Sequence, residues 1–164
     1  MKKITNLLML LTMALFASCD NPIEIPETLE VKPYNIEGTW QLSTIDGKAL
    51  ADSTYVYLVL DRKYGFKIYQ NTNSMYPVLY TGTYELEYDW RNGDIISGVY
   101  DYEQGAWRNE YIVSDLYEES MIWTSLVDTA KIGATPEVQK FVRVHKEVDM
   151  VPDYIVDAVR KPLE

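Results

Sequence analysis

His145 is the only histidine of the chain and Cys19 the only cysteine. One of each cannot assemble a zinc site of Cys and His ligands, and a single Cys excludes a disulfide within the chain. Asp101 and Glu103 lie two apart. On a strand they share a face, where two carboxylates can divide acid and base work as in glycoside hydrolysis. A solvated hairpin end explains the same pair, and we prefer that reading. Glu118 and Glu119 are chain neighbours, and on a strand they point to opposite faces. No G-x-S-x-G elbow and no G-x-G-x-x-G phosphate loop occurs. The run Asp89 to Asp94 has Arg91 where an EF-hand needs its second oxygen ligand. These residues offer no catalytic set, no metal site and no cofactor, so we read the chain as a non-enzyme.

The compositional excess is aromatic: 14 Tyr, 4 Trp and 3 Phe. Tyr and Trp join an apolar ring to a hydrogen-bonding tip, which suits the wall of a small-molecule cavity. The candidates for ligand contact are Tyr57, Phe66, Tyr84, Tyr88, Tyr111 and Trp123. Two other uses of these rings stay open. Aromatics favour strands and can simply fill an eight-stranded interior, or some can form an exposed patch for a partner protein.

Runs with period two must position these side chains. In Tyr84-Glu85-Leu86-Glu87-Tyr88 the apolar groups share one face, expected inward, and the two Glu share the other. Tyr64, Phe66 and Ile68 alternate likewise, and Tyr111-Val113 oppose Ile112-Leu116. Tyr55 to Leu60 (YVYLVL) is apolar on both faces. Asp46-Gly47 and Asn92-Gly93 read as two-residue hairpins with both central residues at φ > 0, and Arg62 to Gly65 as a longer hairpin loop. Eight strands are expected, near 39–45, 54–60, 65–70, 79–88, 95–102, 109–117, 121–126 and 138–145. The last also has helical spacing at Val138, Phe141, Val142 and His145, but Phe141-Val142-Arg143-Val144 favours a strand. Regular antiparallel spacing predicts an all-β fold, an eight-stranded up-and-down antiparallel β-barrel that closes to remove its edges. Pro152, the stripe Val151, Ile155, Val156 and Val159, and then Arg160, Lys161 and Pro162 predict one C-terminal helix within 147–164.

Lys2 and Lys3 precede a ten-residue apolar run, Leu7 to Phe16, too short to span a bilayer core of roughly 20 apolar residues. It reads as a secretory signal. Its end, Phe16-Ala17-Ser18-Cys19, resembles the lipobox of bacterial lipoproteins, with Phe16 where Leu is usual. That resemblance implies removal of residues 1–18 and lipidation of Cys19, where two or more acyl chains give a durable anchor. Residues 19–36, with three prolines and four acidic groups after Cys19, read as a flexible tether. Asp20 would favour inner-membrane retention in enteric bacteria. In Bacteroidetes-type bacteria acidic residues there mark export to the surface. We favour the outer membrane or cell surface, with the inner membrane still open.

Fifteen Lys+Arg stand against 25 Asp+Glu; loss of Lys2 and Lys3 takes the basic groups to 13 and the net charge from −10 to −12. That balance excludes a nucleic-acid partner, which needs a basic face. The remaining length suits one domain, 37–146, and its hydrophobic content of 47% excludes global disorder.

Gly38-Thr39-Trp40 on the first strand, Asp46-Gly47-Lys48 at its hairpin, Tyr80-Thr81-Gly82-Thr83-Tyr84 mid-chain and Phe141-Val142-Arg143-Val144 at the end resemble the lipocalin-like (calycin-type) β-barrel lipoproteins of Bacteroidetes-type bacteria. The resemblance implies that Trp40 closes the barrel base and that Arg143 lies over it. It also implies binding of a small molecule, such as a lipid, sugar or other apolar ligand, by a membrane-anchored protein of the cell envelope. The alternative function is a structural or interaction accessory of an envelope complex, with an exposed aromatic patch and no ligand cavity.

Overall fold

The computed structural model describes residues 26–72, 76–127 and 133–145. The signal segment 1–18, Cys19 and the expected helix in 147–164 lie outside the described residues. One short helix, α1 (Pro33–Ile36), precedes β1 (Gly38–Ile45), β2 (Lys48–Ala49), β3 (Tyr55–Leu60), β4 (Gly65–Asn71), β5 (Val78–Asp89), β6 (Gly93–Tyr100), β7 (Tyr111–Ser114), β8 (Ser120–Ser125) and β9 (Val138–Val144). Each strand pairs antiparallel with its sheet neighbours, and β9 returns to pair with β1. This closes an eight-stranded barrel and leaves β2 outside the ring. Residues 138–144 are a strand. Closure explains this outcome, because both β8 and β1 supply a ladder to β9.

Asp46 (φ 49°) and Gly47 (φ 74°) make the expected two-residue turn, with Ile45 paired to Lys48. Asn92-Gly93 does not. There Asp89 pairs with Gly93 across three residues, and only Gly93 takes φ > 0, at 88°. The Asp89 carboxylate accepts hydrogen bonds from the amides of Arg91 and Asn92, both 2.8 Å, which stabilises the longer turn.

The interior holds Trp40, Leu58, Leu60, Phe66, Tyr84, Ile96, Val113, Met121, Trp123 and Phe141. A bulge between Leu42 and Thr44 resets the alternation of β1, so Leu42 and Ile45 both serve the interior. The strand expected at 109–117 stops at Ser114. Asp115 turns left-handed (φ 46°), and Leu116, expected opposite Val113, is buried with it in the core. Residues 95–102 likewise end as a strand at Tyr100, because Tyr102 and Glu103 adopt φ near +60°.

The segment read as a tether is docked in its second half. Ile36 is 1% exposed, and the Leu29 amide donates to the Leu116 carbonyl at 2.7 Å. Pro33 opens α1 with its ring-fixed φ, which sets Ile36 into the barrel base.

Candidate ligand cavity

One barrel end is sealed. Trp40 is fully buried, and its Nε1–H donates to the Ile36 carbonyl at 2.8 Å. The Arg143 guanidinium lies over the indole, 4.1 Å from the ring centroid. It donates to the carbonyls of Glu118 (2.5 Å), Glu37 (2.5 Å) and Asn35 (2.8 Å). Burial pulls its pKa down, against the nearby carboxylates of Glu119, Glu118 and Glu37, which push it up. Gly38, at φ 129°, leaves room for this group, since a Cβ there would stand 2.6 Å from Arg143 Nη1. The G-x-W sequence is thus one packing unit with Arg143.

At the opposite end, where β1, β4, β6 and β8 finish, the interior opens into a cavity of about 260 Å³. Leu42, Ile45, Val56, Leu58 and Ile68 form an aliphatic wall. Facing them stands an aromatic cluster. Trp123 is the hub, with ring centroids 5.8 Å from Trp107, 5.4 Å from Tyr111 and 4.9 Å from Phe141. These spacings suit tilted ring contacts. Gln70, Gln139 and Arg108 add polar groups to the lining. Trp123 is 4% exposed, and among the described residues the buried indole N–H groups of Trp123 and Trp107 have no hydrogen-bond partner. An unmade hydrogen bond on a buried donor costs about 1–3 kcal/mol. Burial raises the hydroxyl pKa of Tyr111 and of Tyr100 in the same wall. Tyr111 also hydrogen-bonds with Asn109 and Gln139, which pulls its pKa the other way. Both phenols are therefore neutral donors at physiological pH.

Of the six aromatics expected to meet a ligand, Tyr111 and Trp123 line this cavity. Phe66 and Tyr84 are buried elsewhere in the core. The Tyr84 hydroxyl donates to the Asp61 carbonyl at 2.7 Å, and Phe66 packs against Trp107 at 5.0 Å. Tyr57 does not line it: Val56, Leu58 and Leu60 take the inward positions of β3, and Tyr57 has the opposite parity. The reason is that YVYLVL is apolar on both faces and leaves the inward set unspecified. Tyr88 is 72% exposed. Its strand runs past the wall: β4 pairs with β5 only as far as Thr83, burial on the inward face fades from Tyr84 through Leu86, and Tyr88 lies beyond the interior. Leu86 is half-buried, and Glu85 and Glu87 point to solvent.

Trp107 is the main residue that periodicity missed, because it lies in the connection from β6 to β7. Its ring folds inward over Gly98, where a Cβ would collide with the indole. A glycine at an inward strand position is the signal that could have found it. Asp101 and Glu103 are both exposed, and Asp101 accepts a hydrogen bond from the Thr81 hydroxyl at 2.5 Å. Among the described residues no group of three His, Cys, Asp or Glu side chains is placed to hold a metal. No family model, curated protein or solved structure matches this chain.

Proposed function

We propose that this chain is a membrane-anchored, lipocalin-like lipoprotein that binds a small molecule in the barrel end opposite Trp40, and that it acts as a binding protein rather than an enzyme. The observation that carries the reading is the asymmetry of the barrel. One end is filled and tied shut by Arg143, while the other keeps a cavity of about 260 Å³ walled by aromatic rings on one side and aliphatic side chains on the other. Unfilled apolar volume lowers stability, and a bound ligand would relieve that cost. The volume lies just below the range of about 300–1,000 Å³ common for drug-sized ligands, which points to a compact one. Native mass spectrometry of the full chain purified from its host tests this. A retained small molecule, lost when Ile68→Trp fills the cavity, is expected; an empty protein with an unchanged spectrum in that variant overturns it. Anchoring through Cys19 is tested separately. Cys19→Ala should abolish labelling with radioactive fatty acid, and undiminished labelling would end the anchoring proposal.

Exposed aromatics give the interaction-accessory reading some support. Tyr88 (72% exposed) and Trp90 (75%) stand at the β5–β6 hairpin tip, with the Arg91 guanidinium 4.5 Å from the Trp90 ring centroid. Tyr102, also exposed, follows the far end of β6, so the rings form no single patch. The cavity remains the stronger feature.

A further inference from the structure

We propose that the sealed end of the barrel rests on the bilayer that holds Cys19, with the tip of the β5–β6 hairpin set among zwitterionic headgroups and the cavity mouth turned to the aqueous side. This rests on the Cys19 anchor proposed above and adds the surface that meets the membrane.

Chain length brings the sealed end to the bilayer. The start of β1 and the β7–β8 turn both belong to that end, and the Leu29 amide donates to the carbonyl of Leu116 in the turn. Ten steps of chain separate Leu29 from Cys19. A chain spans at most about 3.3–3.6 Å per residue, so Leu29 stays within roughly 36 Å of the lipid. Strands of eight residues, tilted as in a closed barrel, make a wall about 20 Å tall. Placing the open end on the bilayer would spend more than half of the tether's reach on running back along that wall.

The exposed rings agree. Tyr34 on α1, Tyr64 in the β3–β4 loop, and Tyr88 and Trp90 on the β5–β6 hairpin all belong to elements of the sealed end. Trp90 is the only exposed one of the four tryptophans. Trp and Tyr favour the membrane–water interface, where the ring leaves water and the polar tip keeps its partners. The open end shows exposed Tyr76 and Tyr102 but no exposed Trp. Charge then selects the lipid. Arg91, beside the Trp90 ring, and Glu87 are both exposed on the hairpin. A headgroup with both a phosphate and an ammonium matches this pair. With 25 acidic groups against 15 basic ones, the chain is repelled by an anionic surface.

The acylated protein, purified from its host and reconstituted in vesicles of phosphatidylcholine and phosphatidylethanolamine, tests this. Acylation blocks the Cys19 sulfur as a thioether, so the parent should take no bimane label. Trp90→Cys and Tyr102→Cys each then offer one free thiol, at exposed positions where a substitution disturbs the fold little. Lipids brominated in their acyl chains quench only a label that reaches them. We expect position 90 to lose about half of its emission, as for a group set about 5–10 Å into the interface, and position 102 to lose none. Added phosphatidylglycerol should weaken the quenching at low salt, and stronger quenching instead overturns the choice of zwitterionic lipid. Quenching at 102 rather than 90, or at neither, overturns the proposal; if the protein still floats with the vesicles, the Cys19 anchor stands. Protein without an acyl chain that separates from the vesicles overturns both.

Discussion

The guanidinium of Arg143 stands 4.1 Å from the centroid of the Trp40 ring, on strands that are hydrogen-bonded neighbours with Trp40 and Arg143 in direct register. One side chain thereby joins the first strand, the last strand, the β7–β8 turn through the Glu118 carbonyl, and the entry helix through the Asn35 carbonyl. The seam where the barrel closes is also where its base is sealed.

Arg143→Ala should therefore lower stability by about 2–3 kcal/mol. It removes cation–π attraction and leaves three carbonyls without their donor. Scanning calorimetry should show a Tm lower by roughly 5–10 °C for a domain of this size. Arg143→Lys should recover only part of that loss, since an ammonium cannot reproduce the planar fork. A Lys variant as stable as the parent would refute the role assigned to the fork.

Gly38→Ala tests the other half of the same unit. Gly38 sits at φ 129°, and an added Cβ would lie 2.6 Å from Arg143 Nη1. Both backbone strain and collision oppose the substitution, with a combined loss of about 2–4 kcal/mol. Combining it with Arg143→Ala removes the collision and keeps the strain. Denaturant unfolding should then show the double variant losing clearly less than the two single losses added together. Simple additivity would mean that the two residues do not meet.

Much of this barrel was legible because half-buried strands write their faces into the sequence, as Tyr84-Glu85-Leu86 does. Legibility failed where the pattern carried no directional information. YVYLVL is apolar on both faces, so Tyr57 was expected inside and Leu58 took that place. Alternation through Tyr88 is intact, but the interior ends before the strand does. Ile36 lies in a Pro-rich segment whose apolar residues follow no period that marks it for burial. The cavity was the least legible feature. Trp107 reaches it from a connecting segment, and Ile45 through a bulge, neither of which has a two-residue period.

Gly98→Ala should disturb the cavity without breaking a strand. The Trp107 indole occupies the space where the new methyl group would go, so the ring must move. Overpacking of this kind costs about 1–3 kcal/mol. Displacing the ring from Trp123, now 5.8 Å away between centroids, should change near-ultraviolet circular dichroism and tryptophan emission while the far-ultraviolet spectrum stays β. The same spectra from parent and variant would show that Trp107 is not held over Gly98 in solution.

Tyr84 sets an alkaline limit on the fold. Burial, followed by the Asp61 charge, pushes its pKa from the ordinary 10.0 up to about 12. The neutral hydroxyl donates to the Asp61 carbonyl at 2.7 Å, a bond that the phenolate cannot donate. Below pH 10 this tyrosine is protonated in both folded and unfolded chains, and its contribution is fully present. Between pH 10 and about 12 the unfolded chain loses the proton first, so the folded state binds more protons and stability falls as pH rises. Tyr84→Phe removes this proton and, with it, about 1 kcal/mol of hydrogen bonding at neutral pH. Its Tm should start lower than that of the parent and decline less steeply from pH 10 to 12. Absorbance at 295 nm should show one late-titrating tyrosine fewer in the variant. Parallel Tm curves across that window would remove Tyr84 as the source of the alkaline loss.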